Sequence, residues 1–120
     1  MRRKPGSLVP LELAICSTAA DLHQDGSQEF YGYEMAKRLR DVAGRRLLTA
    51  YGTLYRALGR LETMGFLRSR WEDPEIPARE NRPGRRLYTL TAAGEAAVHG
   101  ARKALREHAS KRVRRRQAPA

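Results

Sequence analysis

At Gly65 the spacing of apolar residues along this chain changes, and the change decides what the chain can fold into. Upstream, apolar side chains return every third or fourth position, the period of a helix; just downstream they alternate, the period of a strand. Leu67, Ser69 and Trp71 alternate with Arg68, Arg70 and Glu72, and Tyr88 and Leu90 alternate with Leu87 and Thr89. Beyond Thr91 helical spacing resumes. A chain of 120 residues builds one core and not two. The expectation is a mainly α fold carrying a small β-hairpin.

Ser7 is placed to cap the first helix, with Pro10 tolerated in its first turn. Leu8, Leu11, Ile15, Ala19 and Leu22 form its stripe, and Leu13, Ala14, Cys16 and Ala20 widen that stripe beyond one face. Such a helix needs cover on two sides: its own domain, and a partner helix from within the chain or from a second copy. Asp25-Gly26-Ser27 breaks the pattern. A short second helix fits Tyr33 to Val42, with Gly44 at its end, and a third runs from a Thr49 cap to about Met64, closed by Gly65. Asp73 to Gly84, rich in Pro, Gly and charge, reads as a long hairpin loop. Thr91 caps a last helix from Ala92 to about Ala109, which grades into an arginine-rich end. The order helix, helix, helix, strand, loop, strand, helix is that of a winged helix-turn-helix. It divides into a basic arm (1–7), the winged domain (8–91), a C-terminal helix (92–110) and a basic tail (111–120).

Charge narrows the function. Lys and Arg number 24 against 13 Asp and Glu, a net charge of +11 with pI near 10.8. Between Arg102 and Arg116, Glu107 is the one acid among eight basic residues. A pI this high on a small domain indicates a polyanionic partner, nucleic acid before a membrane surface; the other reading is a solubilising surface with a disordered basic tail. No apolar run reaches the roughly 18 residues a membrane span requires. The basic start resembles a signal n-region, but Glu12, Asp21 and His23 follow and no cleavage site does, so a cytoplasmic protein is expected. The single Cys16 forms no internal disulfide and no cysteine zinc cage, and reads as a buried, inert thiol. His23, His99 and His108 never stand four apart. Neither a metal, nor a cofactor, nor catalysis is expected.

The third helix carries the informative pattern. At about 100° per residue, Tyr51, Leu54, Tyr55, Leu58 and Leu61 share an arc of about 120° facing the core. Thr49, Gly52, Thr53, Arg56, Arg60 and Thr63 share the opposite arc, and the segment's only acid, Glu62, lies beside the buried one. Two guanidiniums, three hydroxyls and a glycine suit a DNA major groove, where arginine pairs bidentately with guanine and threonine meets base edges or phosphate. Early positions reach deepest, so Thr49, Thr53 and Arg56 are the expected base readers, and Arg60 the phosphate contact. Tyr51 and Tyr55 are core aromatics, or reach phosphate from the rim through their hydroxyls. The hairpin supplies Arg79, Arg82, Arg85 and Arg86, with the stiffening Pro83-Gly84, for a narrow minor groove. Tyr33 and Lys37, at the start of the second helix, either touch the backbone of the duplex or, for Tyr33, join the core.

These residues resemble a known group. Tyr31-Gly32-Tyr33-Glu34-Met35, Gly52-Thr53-Leu54-Tyr55-Arg56-Ala57-Leu58 with Arg60-Leu61-Glu62, Gly65-Phe66-Leu67 with Trp71-Glu72, and Arg85 to Gly94 are similar to the PadR family of bacterial transcriptional regulators. The resemblance spans about Leu8 to Val98 and points to its short branch, with a single C-terminal helix. It implies a homodimeric repressor that binds a palindromic double-stranded operator and is released by a small-molecule inducer. It also implies dimerisation through the first and last helices, here through Leu11, Ile15, Val98, Ala101, Leu105 and His108. The last helix presents Gly94, Val98, Ala101, Leu105 and His108 on that seam, few of them large and none a tryptophan, so no drug-stacking pocket carries over.

Two other functions fit the same composition. One is an RNA-binding or ribosome-associated basic module that uses the segment from Arg102 to Arg116 and needs no dimer. The other is a winged helix whose basic face meets an acidic protein.

Overall fold

The computed structural model describes residues 8–43 and 51–117. In chain order it contains α1 (Pro10–Gln24), β1 (Phe30–Tyr31), α2 (Gly32–Ala43), α3 (Tyr51–Thr63), β2 (Leu67–Trp71), α4 (Glu75–Glu80), β3 (Arg86–Leu90) and α5 (Ala92–Gln117). The expected cap Ser7 and the turn glycine Gly44 lie outside the described residues. α1 instead begins after Val9, whose N–H donates to the Glu12 carboxylate at 3.2 Å, while Pro10 takes a position that needs no donor.

Leu11, Ile15, Cys16, Ala19 and Leu22 of α1 pack into a core with Met35, Ala36 and Leu39 of α2 and Leu54, Ala57, Leu58 and Leu61 of α3. The core is completed by Phe30, Leu67, Tyr88 and Leu90 from the strands and Val98 from α5. Burying each large aliphatic side chain contributes about 1.5–3 kcal/mol. The second side of α1 is covered from within the chain, by the first turns of α5. Burial pushes the Cys16 thiol up to about 12, with the Glu12 charge adding to the effect, so the thiol stays protonated and inert.

The strands form an antiparallel sheet in the order β1-β3-β2, with Leu67 opposite Leu90, Trp71 opposite Arg86, and Phe30 opposite Tyr88. Phe30 and Tyr88 stack with ring centroids 5.7 Å apart. A two-residue strand has no period to read, and β1 is an addition to the expected hairpin.

Two expectations need correction. The segment from Asp73 to Gly84 is not wholly loop: it holds α4, started by Asp73, whose carboxylate accepts the Glu75 N–H at 3.0 Å. α4 ends at Asn81 in the left-handed conformation (φ 56°). The arginine-rich end is likewise not a separate tail, because α5 continues to Gln117. Arginine is a good helix former, and cations in a last turn oppose the negative end of the helix dipole.

The junction between α3 and α5 is tightly made. Gly65 closes α3 at φ +82°, and the Phe66 N–H donates back to the Leu61 carbonyl at 2.9 Å. The Thr91 hydroxyl donates to the Gly65 carbonyl at 2.6 Å and accepts the Gly94 N–H at 3.1 Å, capping α5 as expected. A methyl group on Gly94 would collide with the Phe66 carbonyl oxygen and the Leu90 side chain. From Lys103 to Arg116 every residue of α5 is exposed, so the helix leaves the domain and lengthens the molecule to 69 × 31 × 28 Å.

Candidate nucleic-acid interface

α3 divides much as its wheel predicts. Leu54, Ala57, Leu58 and Leu61 are buried; Gly52 and Arg56 are exposed and Thr53 half-buried. Arg56 makes no ion pair among the described residues. Thr49 and the side chain of Tyr51 lie outside the described residues. Tyr55 is a correction: it is 48% exposed, and its ring lies across Gly32, where an added Cβ would stand 2.6 Å from the hydroxyl oxygen. The glycine that opens α2 lets the ring leave the core.

Arg60 has a partner within the fold. Its Nε donates at 2.7 Å to Glu12, a carboxylate with no exposure, although the guanidinium is itself 50% exposed. An arginine holding a buried acid has a structural task, which the wheel could not reveal because the acid arrives from α1. Thr63 turns its hydroxyl onto the Gly59 carbonyl at 3.0 Å.

The four hairpin arginines have four situations. Arg82, 18% exposed, grips Glu72 with two bonds at 2.5 and 3.1 Å and reaches Glu80 at 3.0 Å. With the Arg85 N–H also donating to it at 2.9 Å, Glu72 has its carboxyl held below the usual range, chiefly by Arg82. Arg82 therefore shapes the wing instead of standing free upon it. Arg86 donates to Ser69 at 2.9 Å, pairs with Glu62 at 3.4 Å and lies 5.9 Å from the Trp71 ring. Ser69 also donates to Glu62. Arg85 stacks 4.2 Å above Tyr31, and Arg79 is exposed with a loose contact of 3.8 Å to Glu75. On the far strand Arg70 makes paired bonds of 2.7 and 2.8 Å with Glu29, which lower that carboxyl's pKa.

Beside these, Tyr33 is 56% exposed, and Lys37 and Arg38 of α2 are exposed along a depression of about 400 Å³ that Tyr31 and Tyr33 also line. Tyr31 and Tyr33 continue into a cavity of about 640 Å³ at the wing root, shared with Tyr55, Trp71, Arg85 and Arg86. Sequence reading passed over Trp71 and Arg38. Strand alternation groups Trp71 with the buried Leu67, but the sheet outruns the core at that end and leaves the indole 65% exposed.

The expected dimer seam splits. Leu11, Ile15 and Val98 are buried in the protomer's own core. Ala101 is half-buried, and His108 and Leu105, the latter 62% exposed, remain outward.

The model of the transcriptional regulator PadR-like family matches residues 22–100, from the end of α1 through the wing to the start of α5. The chain belongs to that family. This PadR-like chain is thereby a transcriptional regulator and not an enzyme. A PadR family transcription regulator from Clostridium difficile R20291 superposes with a TM-score of 0.66 at 24% identity, over 88% of this chain and 95% of that one. A PadR-like regulator from Bacillus cereus gives 0.65 at 17%, over 91% and 93%. Bacillus subtilis PadR, in complex with operator DNA, gives 0.60 at 20% over 78% of this chain, which spans 47% of that longer protein. At such identities the likeness establishes the shared winged-helix fold. No curated protein sequence matches the chain. Among the described residues no helix is long and apolar enough to cross a membrane, and no three His, Cys, Asp or Glu side chains gather to hold a metal ion.

Proposed function

We propose that this PadR-like regulator is a sequence-specific repressor that binds a palindromic operator as a homodimer and is released by a small-molecule effector. The observation that carries the reading is Arg56, an exposed guanidinium on α3 without an ion pair among the described residues, one turn after the exposed Gly52 and beside Thr53. A glycine admits close backbone approach, and an uncommitted fork can meet guanine. Thr49, outside the described residues, and Tyr51, the first residue of α3, also belong to the proposed contact set. Tyr33, Lys37, Arg79, Arg85 and Arg86 are proposed to meet phosphates and the minor groove. Arg60 and Arg82 are the weaker members of that set, since Glu12 takes the Arg60 Nε and Glu72 grips the Arg82 guanidinium.

Ala101, at the point where α5 departs from the domain, and Leu105 and His108 beyond it are the proposed contacts with a second copy. Paired α3 helices would then enter successive major grooves about 34 Å apart, on half-sites about 10 bp from centre to centre. An effector would act by favouring a subunit arrangement with the wrong spacing. Such a repressor works in the cytoplasm, at the nucleoid. The operator complex of the Bacillus subtilis relative supports the DNA reading.

Footprinting on DNA upstream of the protein's own gene tests it. Arg56→Ala should cut preference for the protected sequence by about 5- to 150-fold, the worth of one bidentate arginine–guanine pair, while general DNA affinity stays within a few-fold. If deletion of residues 103–120 removes all nucleic-acid binding and Arg56→Ala changes nothing, the reading fails. The RNA-binding or ribosome-associated module then becomes the account.

A further inference from the structure

We propose that the cavity at the wing root is a binding site for a planar aromatic anion, with the ring against Trp71 and the acidic group on Arg85. Trp71, Tyr33 and Tyr55 border this space of about 640 Å³ and leave large parts of their rings in water. Each such side chain has about 150–250 Å² to bury. A volume of this size is ordinary for a small-molecule site. A base-paired duplex does not use these rings, since it offers a protein base edges and phosphates and keeps its ring faces stacked on one another.

The charges select the sign of the occupant. Arg85 has no carboxylate partner among the described residues; its guanidinium carbon stands 4.2 Å over the centre of the Tyr31 ring, a contact that uses none of its N–H donors. Arg86 stands in the same wall and shares its charge with Glu62. Cationic rings, the usual guests of aromatic cages, are therefore repelled, and a monoanion fits the one uncommitted fork. A nucleobase bearing phosphate and a fused ring bearing carboxylate have this chemistry in common.

Binding requires only the groove. A consequence for DNA rests in addition on the proposed function: Tyr33, Arg85 and Arg86 are also proposed duplex contacts, so occupant and operator would compete for the same side chains.

Trp71 is the chain's sole tryptophan, and its fluorescence in the full-length protein without DNA reads the groove directly. Four probes separate the terms: adenosine monophosphate, 2-naphthoate, the non-planar anion cyclohexanecarboxylate, and the cation 2-naphthylmethylammonium. The expected result is saturable quenching by at least one planar anion with a dissociation constant under about 1 mM. The cyclohexane anion and the naphthyl cation should bind at least tenfold more weakly, as should the best planar anion to Arg85→Gln or Tyr33→Ala variants of unchanged thermal stability. Tighter binding of the nucleotide assigns a nucleobase-phosphate ligand, and tighter binding of naphthoate a carboxylate. The proposal is overturned if neither planar anion saturates, if the cyclohexane anion or the cation binds as well, or if Arg85→Gln has no effect. In a separate arm the tighter anion should raise the apparent operator dissociation constant. Quenching with no operator binding at any anion concentration would sink the DNA reading and leave the groove standing. Quenching with operator affinity unchanged would refute the competition.

Discussion

Removing the Arg60 guanidinium should unfold this protein more readily without altering which DNA it prefers. The Glu12 carboxylate has no exposure and lies 2.7 Å from the Arg60 Nε, with the Val9 N–H at 3.2 Å as a further donor. Stripping one partner from a fully buried ion pair costs about 3–5 kcal/mol, and leaving a buried acceptor short of a donor about 1–3 kcal/mol. Because Arg60 is half-exposed, water can enter the space it vacates, and Val9 still donates, so the lower range applies: about 2 kcal/mol for Arg60→Ala. For a chain of this size that lowers the melting temperature by about 8 °C. Thermal unfolding followed by circular dichroism measures it, at matched protein concentration because self-association would shift the midpoint. Glu12→Gln in the Arg60→Ala background should recover part of the loss, since a neutral amide is cheaper to bury than a carboxylate. The reasoning is refuted if Arg60→Ala stays within about 0.5 kcal/mol of the parent while the slope of log affinity against log salt falls by about one. That outcome would return Arg60 to a phosphate.

Gly94→Ala forces a methyl into the Phe66 carbonyl and the Leu90 side chain and should cost about 1–3 kcal/mol in denaturant unfolding, whereas Gly59→Ala, in open space on α3, should gain about 0.5–1 kcal/mol. Equal effects at the two positions would contradict the junction described. Acid should loosen the wing: Glu72 has a carboxyl pKa lowered from 4.5, so its folded-state contribution is present above pH 4.5 and is lost as pH falls through the lower folded value. Amide protection in β2 and β3, taken relative to the intrinsic exchange rate at each pH, should then fall below pH 4.5 in the parent, and Glu72→Gln should show reduced protection already at neutral pH.

The sequence made most of the fold readable because the core is simple. Three helical stripes and two alternating strands meet around leucines, and each stripe can be recognised before its neighbours are known. What escaped depended on neighbours. The wheel placed Arg60 outward correctly but could not bring Glu12 to it from α1. It placed Tyr55 inward because nothing local reveals that Gly32 leaves room for the ring to lie elsewhere. α4 was masked by prolines, although Pro74 and Pro77 occupy early helical positions where proline is tolerated, and Asn81 is a competent left-handed stop. A widely apolar first helix shows that it needs two covers but not who supplies them; the family resemblance points Leu11 and Ile15 at a partner, and within the protomer α5 already lies against α1.

The final helix deserves to be seen as a rod clamped at one end. Gly94 and Val98 fix it, and the fourteen residues from Lys103 to Arg116 run out into water, about the length at which an isolated helix is only marginally stable. Their four closing arginines and lysine push outward on any second rod laid alongside. Far-ultraviolet ellipticity should therefore grow with both protein concentration and ionic strength, as companionship and screening supply what a single chain lacks.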